Sequence, residues 1–202
     1  MKSPVIALTR VGLTVVALLS VGYCTPSTSS EPVPLTESER STYLEDGQKL
    51  ATLTFQNLSG QLRSALEEKG VPGAVKYCQS VAGPLVDSLS QVYQTDIRRS
   101  SFKVRNPANR PTPHEKVALK VYQNEHLKGN PLEPRVVRLD SAAVAFYAPI
   151  MVQPLCLKCH GKLGESLKEA DYAIIEDLYP EDKAIGYSAG DWRGMWSIVF
   201  EE

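Results

Sequence analysis

Residues 135–152 read RVVRLDSAAVAFYAPIMV. Residues 135–139 and 142–152 are rich in β-branched and aromatic side chains, and the Asp140-Ser141 pair between them has turn chemistry. A two-residue connection joins antiparallel neighbours, because a parallel pair needs a crossover of a dozen residues or more. The stretch therefore predicts a hairpin and argues against a doubly wound α/β sheet.

The regions on either side support this reading. Thr36 to Glu39 forms a Thr-x-x-Glu helix start. Tyr43, Leu44, Leu50, Ala51, Phe55, Leu58, Leu62, Ala65 and Leu66 then recur at helical spacing up to Gly70, a stop signal. Pro72 suits the first turn of a second helix carrying Val75 and Cys78. Gly83-Pro84 interrupts that helix, and a third follows over 85–93. Residues 96–104 read as a strand, 105–113 as an irregular loop and 114–126 as a helix. Residues 167–178 read as a helix, 179–191 as a loop and 193–200 as a last strand. Helices followed by antiparallel strands define the α+β class. There is no internal repeat, no Gly-rich phosphate loop and no nucleophile motif.

The 202 residues carry 22 Lys+Arg against 23 Asp+Glu, which argues against a general nucleic-acid binder. Lys2 and Arg10 precede or flank an uncharged, mostly apolar run over 11–23 that ends at Cys24. Thirteen residues fall short of the roughly 20 that span a bilayer and fit a secretory signal instead. The Val21-Gly22-Tyr23-Cys24 segment resembles a bacterial lipoprotein signal, with bulky Tyr23 where a small residue is expected. Lipidation of Cys24, ordinary cleavage and an uncleaved anchor all place the domain outside the cytoplasm, in the periplasm or on the extracytoplasmic membrane surface. Removing 1–24 leaves 20 basic residues against 23 acidic ones, a net charge of −3. The Ser/Thr/Pro-rich residues 25–35 read as a flexible tether. Residues 36–202 form the folded domain.

The four cysteines, Cys24, Cys78, Cys156 and Cys159, admit two disulfides by count. Cys156-Leu157-Lys158-Cys159-His160 is C-x-x-C-H, the attachment signature of c-type haem. Two thiols three residues apart can each form a thioether to a porphyrin vinyl group, and the next residue, His160, falls under the iron. A thioredoxin-like pair lacks its βαβ setting here. A structural zinc site would need a fourth nitrogen or sulfur ligand, which Cys78 could supply, so the count does not exclude zinc. A disulfide would close a strained small loop. The motif therefore implies one covalently held haem c.

For the iron's other face the chain offers His114, His126, Met151, Met195 and Cys78. From the residues alone, the methionines read as core, the two histidines as surface, and Cys78 as a buried free thiol.

Further stretches carry a family resemblance. They are Ala74-Val75-Lys76-Tyr77-Cys78, residues 99–111 (RSSFKVRNPANRP), Tyr147-Ala148-Pro149, the C-x-x-C-H-Gly161 segment, Tyr179-Pro180-Glu181-Asp182, Gly186-Tyr187 and Gly190-Asp191-Trp192-Arg193-Gly194. Over about residues 40–202 the chain resembles the PAS-like c-type haem domain family, best known from a cyanobacterial member and found alone or as the sensory end of signalling proteins. Ser100 and Phe102 depart from the threonine and leucine common there. The resemblance implies a PAS-like antiparallel sheet with flanking helices and a long N-terminal helix. It also implies an iron held by His160 and the Cys78 thiolate.

Arg99, Arg105 and Arg193 are candidates for the haem propionates, against a structural role in salt bridges or loop caps. The expected function is redox or gas sensing through a His/Cys-ligated iron, with a diatomic ligand and a separate redox or signalling partner. The given chain ends at Glu202 directly after the last strand, so an output module is expected on another protein. A small membrane-anchored electron carrier is the alternative. An enzyme such as a peroxidase is not expected, since no distal acid–base residue stands out.

Overall fold

Thr36 caps the first helix as its spacing predicts. The Glu39 backbone N–H donates to Thr36 Oγ1 at 3.3 Å, and the Thr36 N–H donates back to Glu39 Oε2 at 2.7 Å. The computed structural model describes residues 34–140 and 142–201. The signal at 1–24, with Cys24, and most of the tether lie outside the described residues.

Helix α1 (Glu37–Ser80) is two helices in one, bent at Gly70, whose φ of 63° and ψ of −164° are not helical. Glycine has no Cβ and takes this backbone without penalty. Before the bend, Gly47, Leu50, Ala51, Thr54 and Leu58 form the buried face; after it, Val71, Ala74 and Val75 do. Leu44 and Phe55, expected in the apolar stripe, are exposed, so the buried stripe is narrower than the hydrophobic pattern. The second break falls at Val81 and not at Gly83-Pro84. Helix α2 (Ala82–Tyr93) takes both residues into its first turn. Pro84's missing N–H costs nothing there, because first-turn N–H groups have no helical partner.

Strands β1 (Thr95–Ser100), β2 (Arg135–Arg138), β3 (Ala143–Met151) and β4 (Trp192–Glu201) form one antiparallel sheet in the order β1-β4-β3-β2. The predicted hairpin is β2–β3. β1 stops four residues short of the predicted strand. Ser101 Oγ accepts from the Lys103 N–H at 3.1 Å and donates to the Arg193 carbonyl at 2.8 Å, which turns the chain out of the ladder. A short 3-10 turn at Pro107–Asn109 sits in the predicted loop.

β3 is buried on both faces, and its pleat sorts the core. Val144, Phe146 and Ala148 pack with Leu50, Ala51, Leu58, Val86, Ile97, Trp196 and Ile198 under α1 and α2. Ala145 and Tyr147 pack with Met195 and with Ala118, Leu119 and Tyr122 of helix α3 (Pro113–Leu127). Fully buried, Phe146 and Ile198 each contribute roughly 1.5–3 kcal/mol. Helices α4 (Leu157–His160) and α5 (Glu169–Leu178) form a third, smaller core with the post-bend part of α1. Helices on both faces of an antiparallel sheet, with a long N-terminal helix, give the α+β class expected, compatible with a PAS-like fold. No helix among the described residues is long and apolar enough to cross a membrane.

A Cβ added at Gly47 would meet the Phe146 ring, so α1 lies on the sheet at a distance only glycine allows. Gly47→Ala should lower stability by about 1–3 kcal/mol in denaturant unfolding. An unchanged midpoint would show that helix and sheet do not meet there.

Candidate functional site

The C-x-x-C-H segment follows the end of β3. Pro154–Cys156 makes a 3-10 turn and Leu157–His160 one turn of α4. A strap over residues 182–187 binds its far side. The Tyr187 N–H donates to the His160 carbonyl at 3.0 Å and the Gly186 N–H to the Gly161 carbonyl at 2.9 Å.

His160 Nδ1 lies 2.6 Å from the Ala184 carbonyl oxygen. A carbonyl only accepts, so Nδ1 carries the proton and Nε2 presents a lone pair. Burial, then the charges of Arg105 and Arg193, holds the imidazole well below its usual pKa, with the Ala184 bond acting the other way. His160 is therefore neutral at pH 7, the form that binds a metal.

Ala184 is fixed in turn. Its N–H donates to Asp182 Oδ1 at 2.8 Å. The other carboxylate oxygen accepts from Arg105 Nη2 at 3.0 Å, and the same nitrogen donates to the Cys159 carbonyl at 2.6 Å. Arg105 is 12% exposed and Asp182 1%, so the pair is sheltered from water.

Cys78 is on the post-bend part of α1. Tyr77 beside it packs on the α1–α2 core, while Val71 and Val75 share the small core that takes in Cys159. Burial pushes the Cys78 thiol upward, and Arg99 and then Arg105 pull it back. Burial pushes Cys159 up to about 11, with Arg105 lowering it and Cys78 raising it. Each group feels the others' charges. The structure thus brings Cys78, Cys159, His160, Arg99, Arg105 and Arg193 into one neighbourhood, with Cys156 one turn before Cys159. A cavity of about 330 Å³ opens beside it between Gln79, Asn106 and Tyr179.

The other ligand candidates lie elsewhere. Met195 is buried under α3. His114, expected on the surface, is half-buried, its Nδ1 2.7 Å from Tyr147 Oη on that same side. His126 is exposed, near the Trp192 ring. Met151, expected in the core, is 41% exposed, next to a register shift in the β3–β4 ladder.

Cys78, Cys156 and Cys159 are free thiols. Among the described residues no group of three or more His, Cys, Asp or Glu gathers as a metal-binding set, so these three cysteines and His160 do not close into a tetrahedral zinc site. Residues 35–200 match the Tll0287-like family. The chain belongs to that family. The crystal structure of the cyanobacterial haem protein Tll0287 aligns with a TM-score of 0.55 and 23% identity, over 78% of this chain and 96% of that one, a likeness of fold. No curated protein matches.

In this Tll0287-like chain, sequence reasoning missed Asp182 and Ala184. Asp182 stood in a quoted block with no role, and Ala184 acts through its backbone alone. Asp182→Asn should lower stability by about 3–5 kcal/mol, because it leaves Arg105 buried and unpaired. The exposed Arg110–Glu181 pair is 64% and 65% open, so Glu181→Gln should cost under about 1 kcal/mol. Equal losses by denaturant unfolding would contradict the assignment.

Proposed function

We propose that this domain holds one haem c and works outside the cytoplasm as a redox or gas sensor. The observation that carries the reading is the His160–Ala184 bond, which aims a neutral imidazole with its Nε2 lone pair open, one residue after the two thiols. When bound, the haem supplies a one-electron iron couple at a potential kept low by a thiolate ligand, and an open iron position for CO, NO or oxygen if that ligand leaves.

The residues present fit the group. Cys156 and Cys159 would hold it by thioethers, and His160 would ligate its iron. Cys78 would be the second iron ligand, since it shares the neighbourhood of Cys159, whereas Met195 and His114 lie on the α3 side. The site also carries polar atoms without partners: Tyr77 Oη and Arg105 Nε are buried and unbonded. Arg99, Arg105 and Arg193 gather at the site, and of the three only Arg105 is paired with its carboxylate, Asp182, an excess of positive charge that two propionates would offset. Arg105, through Nε, and Arg193, through N–H groups beyond its bond to Ser101 Oγ, are the propionate partners.

Because Cys78 sits on a helix bounded by the Gly70 bend and the Val81 break, its release can move one segment without unfolding the sheet. That favours the sensor over the electron carrier, which works best when both ligands stay. Export, anchoring through Cys24 and a separate partner protein complete the reading.

Spectra of purified protein in both redox states, with and without CO, test it in wild type and Cys78→Ala. The expected results are a ferric spectrum that changes in Cys78→Ala and a CO complex of the reduced wild type. An unchanged ferric spectrum in Cys78→Ala would remove the thiolate, and no CO complex would favour the carrier.

A further inference from the structure

Arg99 is the arginine of the site with no structural bond. Arg105 is tied to Asp182 and the Cys159 carbonyl. Arg193 donates to Ser101 Oγ at 2.7 Å and lies over the Tyr187 ring at 5.4 Å. Neither a carboxylate nor any hydrogen-bond acceptor engages Arg99 among the described residues.

The sheet register places it. Arg99 pairs with Trp196, and two residues before it Ile97 pairs with Ile198. Ile97, Trp196 and Ile198 all belong to the core under α1 and α2, so the pleat sends Arg99 to that face. Its neighbours Arg98 and Ser100 point the other way, each bonding Glu115 of α3 at 3.2 Å. Arg99 therefore rises from the edge strand toward the α1 segment carrying Tyr77 and Cys78. The charges acting on it agree: after burial, Cys78 comes first, then Tyr77 and Tyr179.

A partly buried guanidinium does not lose its proton and is costly without an anion. We propose that Arg99 is the fixed counter-charge of the Cys78 thiolate, a positioning residue whose positive charge weakens thiolate donation and raises the reduction potential of the iron. This rests on the haem reading above and assigns one arginine a role distinct from the propionate partners. Two effects of the charge act in the same direction. A cation near the iron disfavours the ferric state, and a cation on the sulfur withdraws electron density from the bond to iron.

The test is a spectroelectrochemical titration of the haem-loaded protein. Arg99→Gln should shift the midpoint potential to more negative values and keep the wild-type ferric spectrum, and Arg99→Lys should restore the wild-type potential. Arg99→Met, which keeps the stem without the charge, replaces Arg99→Gln should that variant not fold. Repeated in a Cys78→Ala background, the shift should be clearly smaller, since the part that acts through the sulfur is lost. An unchanged potential in the neutral variants would overturn the inference, as would an equal shift without Cys78, which would assign Arg99 to a propionate. A wild type without haem would overturn the underlying reading as well, and its spectrum alone shows that before any variant is compared.

Discussion

One guanidinium nitrogen, Arg105 Nη2, ties the domain together at its working end. It donates both to the Cys159 carbonyl and to Asp182. Asp182 holds the Ala184 N–H, and the Ala184 carbonyl receives His160 Nδ1. The cycle joins the loop after β1, the one-turn helix α4 and the strap before β4, three segments far apart in sequence. Its interior is sheltered from water, so its hydrogen bonds are electrostatically strong and an unpaired member would be costly. The C-x-x-C-H turn is too short to hold its own shape, since one helical turn fixes several dihedrals for a single bond. The cycle supplies that rigidity from outside.

The two proposed iron ligands arrive by different routes. His160 is fixed by backbone and salt-bridge contacts on its strap side. Cys78 comes on a helical segment bent at Gly70 and broken again after Ser80, and its packing is mainly apolar: Val71, Val75, Leu167, Ile175 and Tyr179. Apolar packing is non-directional and tolerates small sliding better than a hydrogen-bonded cycle does. One proposed ligand is thus held rigidly and the other by a more yielding contact, an asymmetry that suits the proposed sensor.

Legibility in the sequence follows the same physics. The C-x-x-C-H spacing is a local signature, so Cys156, Cys159 and His160 stand out in the sequence as candidates. Thr36 with Glu39, Gly70 and the turn at Asp140 have local signatures, and the elements they bound were recovered to within a few residues. Tertiary contacts were not legible. The surface expectation for His114 failed because its partner, Tyr147, comes from a strand 33 residues away. Met151 looked like core, but it stands just past a register shift in the β3–β4 ladder and is exposed. Cys78 had no role from composition, and only the family resemblance gave it one. Ala184 contributes a carbonyl oxygen, which every residue has and no sequence pattern marks.

The most direct measurement is mass spectrometry of the peptide spanning Cys156 to His160, from protein made in cells with haem-attachment machinery. One haem on that peptide and an unmodified peptide containing Cys78 is the predicted result. Two free thiols, or a Cys156–Cys159 disulfide, in protein from such cells would contradict it.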